Sequence, residues 1–197
     1  MSDPVLARRV FVRSALRQAA NIFTRLLSSA AEDGVSDNRL SSLLHTISEN
    51  EKQVFVSLNY LLPTKFLKAL AVFDTGKIQL VQFSLASASK CKKSREVYRI
   101  RVTADGVLPV QYEYVRPQIW SCSCAIFAQS AFTINDIAPP MPIGVKNGED
   151  WLLMVGECPH VIACYLARLC GRDVGVVEDV ALESLEQYFN YVGINSF

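Results

Sequence analysis

No stretch of this 197-residue chain approaches 18 consecutive apolar residues, although half of its residues are hydrophobic. A helix that spans a membrane needs about 20 apolar residues in a row, so none is expected. Histidine is scarce: His45 and His160 are the only two, which leaves little material for a Ser-His-Asp or Cys-His catalytic pair. No G-x-x-x-x-G-K-[ST] phosphate loop occurs. Gly76-Lys77 is followed by Ile78 and has no glycine at the required upstream position, so any ATPase activity is expected to belong to a partner. The N-terminus lacks the clean apolar stretch of a secretory signal, and the cysteines at 91, 122, 124, 158, 164 and 170 show no disulfide framework of the short secreted kind. A reducing compartment is expected, where cysteines are packed, catalytic or metal-bound.

Net charge is also nearly absent, with 20 basic residues against 19 acidic, but its distribution is uneven. Residues 1–134 carry 17 Lys/Arg against 10 Asp/Glu, and residues 135–197 carry 3 against 9. Such halves meet different partners, or each other. The first thirty residues are rich in arginine, with Asp3 the only acid before Glu32. That composition is shared by mitochondrial transit peptides. The competing and preferred reading is a folded amphipathic helix over 4–31. Ser2 or Asp3 would cap it, Pro4 would sit in its first turn, Gly34 would end it, and Leu6, Val10, Leu16, Phe23 and Leu27 would form its core stripe.

The chain as a whole reads as α+β. A second helix is expected over 36–48 and a third from Pro63 or Thr64 to just before Gly76. "KIQLVQFSLAS" alternates like a strand. "EVYRIRVTADGVLPVQYEYV" reads as a hairpin turning at Asp105-Gly106, and "QIWSCSC" as its continuation. Residues 135–150, with three prolines and two glycines, read as loop. "CPHVIACYLARLCG" reads as a helix entered through Pro159 and ended by Gly171, and 178–191 as a last helix. Residues 1–88, 89–172, with a long loop at 131–150, and 173–197 are expected to form one globular unit.

The chemistry gathers in two short pairs. Cys122 and Cys124 alternate at a strand end, both thiols on one face; 33 residues later Cys158 and His160 repeat the spacing at a helix start. A strand end and a helix start, each offering two donors, can close a tetrahedron of three sulfurs and one nitrogen around Zn²⁺. The positive end of the helix dipole favours an anionic ligand at 158. Four soft or borderline donors leave no open position, so one structural zinc is expected rather than a catalytic one. Glu157 is the single acid beside a ligand that a catalytic zinc would use. His45 reads as a surface or interface residue, Cys164 and Cys170 as packed thiols, and Cys91, among lysines, as an exposed one.

"WSCSCAIF" followed by "CPHVIA" resembles the SWIM zinc-finger signature C-x-C-xn-C-x-H with its C-x-H-x-x-A extension, Ala163 falling at the last position. With "VSLNYLLPTKFLKALAVFDTGKIQLVQF" and "REVYRI" ahead of it, the chain resembles the SWIM subunit of the Shu complexes over about residues 54–170. The resemblance implies a ββα zinc finger within N-terminal helices, a small antiparallel sheet and a C-terminal helix. It implies Cys122, Cys124, Cys158 and His160 as zinc ligands, and Ala163 as the small residue that lets the helix approach the finger. It also implies a nuclear, non-enzymatic protein of homologous recombination, in complex with a paralogue of the RecA-type recombinase, promoting recombinase filaments on single-stranded DNA.

A second reading rests on "SKCKKSREVYRIR". Lys90, Lys92, Lys93, Arg95, Arg99 and Arg101 face one acid, Glu96. Such a run can hold phosphates in a salt-dependent way, with Tyr98 as a base-stacking ring, which would make the chain a zinc module that binds single-stranded DNA directly. The bland alternative is a strand edge kept soluble by lysine. The partner surface of the first reading is sought on the first helix or near Tyr188, Phe189, Tyr191 and Phe197.

Overall fold

The computed structural model describes residues 4–32, 44–75, 77–85, 95–102, 109–133, 158–171 and 176–182. Helix α1 spans Pro4–Glu32, α2 Glu49–Leu61 and α3 Lys65–Asp74. Strands β1 (Ile78–Leu85), β2 (Arg95–Arg101), β3 (Tyr112–Arg116) and β4 (Ser121–Cys122) follow, then helices α4 (Ala125–Thr133) and α5 (Pro159–Leu169) and strand β5 (Val176–Leu182). The architecture is α+β, with β1 to β4 antiparallel in order and β5 added parallel to β1 at the edge.

The buried stripe of α1 runs through Val12, Ala15, Leu16, Ala19, Phe23, Leu26 and Ala30, at the three- and four-residue spacing of one helix face. Leu16 and Phe23 belong to it as expected, whereas Val10 is 63% exposed and lies off the stripe. The expected second helix, 36–48, is described only at its end, and a helix not expected from the sequence follows it. Residues 36–43 lie outside the described residues, Leu44–Thr46 form one 3-10 turn, and α2 starts at Glu49. Ser48 explains the start. Its hydroxyl accepts from the Glu51 N–H while the Glu51 carboxylate accepts from the Ser48 N–H at 2.8 Å, a reciprocal capping box. Phe23, Phe55, Phe66 and Phe73 then lock α1, α2 and α3 together, with ring centroids 5.4–6.2 Å apart.

Register places Ile78, Leu80, Tyr98, Ile100 and Val115 on one sheet face, where they join the helical core. Val81, Phe83 and Val97 are buried on the other. Helix α5 packs against α1, α3, β3 and β4. It is buried nearly all round: Val161, Ile162, Ala163, Cys164, Leu166 and Ala167 are each at most 1% exposed. Gly171 ends it at φ +58°, a left-handed conformation that glycine adopts without strain.

Three other expectations change. "QIWSCSC" does not simply extend β3: Pro117–Ile119 make a 3-10 turn and Trp120 takes left-handed φ 49°, ψ 47°, so β4 folds back on β3. Residues 131–133, expected in the long loop, end helix α4. Residues 178–182, expected as helix, are strand, because the edge of β1 offers unpaired backbone groups that β5 satisfies. Residues 183–197, 134–157 and the Asp105-Gly106 turn lie outside the described residues.

Candidate metal centre

The turn at Trp120 reverses the chain, and β4 then delivers Cys122 opposite Val115, on the core face of the sheet. Ser123 fixes the next step. Its N–H donates to the Tyr114 carbonyl at 3.0 Å, its hydroxyl accepts from the Tyr114 N–H at 2.9 Å, and it donates to the Glu113 carboxylate. With Ser123 tied outward to β3, Cys124 turns inward beside Cys122. Helix α5 supplies the other pair: Cys158 is its N-cap residue, Pro159 fills its first position, and His160 comes next.

The donor atoms of Cys122, Cys124, Cys158 and His160 all lie within 4.8 Å of one another. Cys124 Sγ is 3.3 Å from Cys158 Sγ, and Cys122 Sγ is 3.7 Å from His160 Nδ1. A tetrahedral ion with bonds of about 2.3 Å to sulfur sets its ligands about 3.8 Å apart, so the cluster has the dimensions of a single metal site. The three cysteines are free and buried, and His160 is half-buried. Backbone N–H groups of Cys124 and Phe127 donate to the sulfurs of Cys122 and Cys124 at 3.5 and 3.3 Å. Such bonds orient the ligands and spread their charge.

The thiols and the imidazole are coupled through their hydrogen bonds. The Cys124 thiol is held far below the usual range, first by its hydrogen bond with Cys122 and then by that with Cys158. Cys122 is pushed far above that range by its contacts with Cys124 and Cys158, aided by burial. One thiolate in this space therefore opposes the next. His160 is pushed up to about 10, first by its hydrogen bond with Cys124. A divalent ion resolves the conflict, since it stabilises several thiolates together with a neutral imidazole. These four residues can hold one metal ion, and three sulfurs with one nitrogen suit a soft or borderline metal.

Of the other residues singled out in the sequence, Ala163 is fully buried on α5, one turn beyond Cys158 and His160. Cys164 is fully buried, and burial raises its thiol well above the usual range. Cys170 donates to the Leu166 carbonyl at 2.6 Å. His45 is exposed on its 3-10 turn. Tyr98 does not offer an open stacking ring: it is 5% exposed, because its register against Leu80 and Val115 turns it into the core. Arg99 and Arg101 lie on the opposite face, half-buried. Arg99 donates to Gln79 at 2.8 Å and stacks over Tyr112 at 4.7 Å. Arg95 begins β2, while Lys90, Cys91, Lys92, Lys93, Glu157 and the aromatic residues at 188–197 lie outside the described residues.

Spacing alone did not bring forward Ser123, Glu113 or the turn at Trp120, whose placing depends on backbone reversal, though the small polar residue between two cysteines was a usable signal for Ser123. Among the described residues no helix is long and apolar enough to cross a membrane. A scan against protein-family models and a search of curated proteins return no match for this chain.

Proposed function

We propose that the chain is a zinc-stabilised, non-enzymatic subunit of a Shu-type recombination complex. In this reading β3, β4 and α5 form the ββα unit of a SWIM finger, and Cys122, Cys124, Cys158 and His160 hold one Zn²⁺. The ion fastens the N-terminus of the central helix to the sheet and so shapes a surface that docks a recombinase paralogue. The complex then favours recombinase filaments on single-stranded DNA in the nucleus.

The observation that carries the reading is the convergence of Cys122-x-Cys124 with Cys158-x-His160 at the start of a helix whose Ala163 is fully buried. Four protein donors fill a four-coordinate ion, which supports a structural rather than a catalytic metal. Direct binding of single-stranded DNA through residues 90–101 receives less support: Tyr98 is buried, and Arg99 is held by Gln79 and Tyr112.

Co-expression with candidate recombinase paralogues tests the proposal. Wild type should co-purify with one of them and carry one zinc per chain, and Cys122→Ser and His160→Ala should lose both. Wild-type protein that carries zinc, binds no paralogue and binds single-stranded DNA alone with a steep salt dependence would replace this reading with the DNA-binding one.

A further inference from the structure

Trp120 combines two unfavourable features. Its backbone is left-handed, at φ 49° and ψ 47°, a region open to glycine and resisted by bulky side chains. The residue is 6% exposed, yet the Nε1 hydrogen has no acceptor among the described residues. Glycine would relieve both. Against them stand its place in the buried core and a ring contact: the indole meets the Tyr165 ring edge-on, centroids 5.3 Å apart and planes at 67°. Tyr165 belongs to α5, the helix that carries Cys158 and His160 at its start, whereas Trp120 immediately precedes the strand that carries Cys122. Edge-to-face rings are a specific, orienting contact.

We propose that Trp120 is a positioning residue for the metal centre: its indole, wedged on Tyr165, sets the distance between the ligand pairs Cys122/Cys124 and Cys158/His160 before the ion binds. This rests on the metal reading of those four residues. The function lies in the ring and not in the turn, since the turn alone would be better served by glycine. The role falls to the ring contact; the indole N–H finds no acceptor among the described residues.

Cobalt(II) titration of the full chain, in competition with a chelator and followed by the visible bands of tetrahedral cobalt, tests this. Wild type, Trp120→Phe, Trp120→Gly and Tyr165→Leu are compared at a temperature where circular dichroism shows each to be folded. Trp120→Phe should stay within about 3-fold of wild type in affinity, while Trp120→Gly and Tyr165→Leu weaken it at least about 10-fold, as outer-shell changes at metal sites do. In the Trp120→Gly background Tyr165→Leu should add little, because the two rings act through one contact. Wild type that takes up no cobalt would overturn the metal reading itself. Wild type that binds, with Trp120→Gly or Tyr165→Leu equally tight, would overturn the positioning role alone, as would Trp120→Phe as weak as Trp120→Gly. Should Trp120→Gly not fold, the Tyr165→Leu result decides.

Discussion

The sulfurs of Cys124 and Cys158, 34 residues apart in the chain, lie 3.3 Å from each other in the buried interior. That is well beyond the roughly 2.05 Å of a disulfide and near the edge of a metal tetrahedron. The pair marks where a two-residue strand meets a helix buried among α1, α3, β3 and β4. A cation held there ties the sheet to the centre of the helical core.

With an ion held there, removing it or a ligand should loosen the whole domain. Cys158→Ser and His160→Ala are expected to bring bound metal close to none. A structural zinc site contributes on the order of 10 kcal/mol, so the thermal midpoint should fall by more than about 10 °C. A chelator should do the same to wild type. Elemental analysis and calorimetry check both; a midpoint indifferent to the chelator would show that the fold stands without the ion.

Ala163 has no room to grow. It is fully buried on α5, and Ala163→Leu forces extra methyl groups into packed surroundings at a cost of about 1–3 kcal/mol. The expected result is a midpoint lower by roughly 2–10 °C, with weaker metal retention in a chelator competition. Ala163→Gly should keep the metal better than Ala163→Leu.

The start of α2 depends on a reciprocal pair. Ser48→Ala removes the cap and should cost about 0.5–2 kcal/mol. Hydrogen bonds from the Ser48 backbone N–H and hydroxyl, with smaller help from Arg25, hold Glu51 below its ordinary 4.5. A lowered carboxylate stabilises the fold above its unfolded value, and that contribution is lost as pH falls through the folded one. Glu51→Gln should thus lower the midpoint at pH 7, and the difference should shrink as pH falls below 4.5, in thermal melts across that range.

At the alkaline end Tyr98 contributes. Burial pushes its phenol from 10.0 up to about 12, with Glu96 adding to the shift. The fold favours the neutral ring, so this contribution is complete below pH 10 and is lost as pH rises through 12. Tyr98→Phe should resist alkaline unfolding better than wild type. Absorbance titration should show a late-ionising tyrosine in wild type that the variant has lost.

The metal donors were legible in the sequence because ligation is a matter of residue type and local spacing. Cys122-x-Cys124 and Cys158-x-His160 declare their chemistry without a fold. The helix of α5 was legible too, since Pro159 and Gly171 punctuate it. Helix α2 was missed, although Ser48 is answered by an acid three residues on, the local signal of its start.

Tertiary structure decided the rest, by contacts that no local pattern contains. Residues 178–182 carry acids and an alanine that suit a helix, yet they pair with β1, where a sheet edge supplies hydrogen bonds that outweigh weak local preference. Register, set by β1 and β3 on either side, turned Tyr98 inward and Arg99 outward. Convergence of the four donors likewise required β4 to reverse at a strained Trp120 and meet α5. The sequence determined which atoms can bind a metal; the packing of one buried helix against a small sheet determined that they meet.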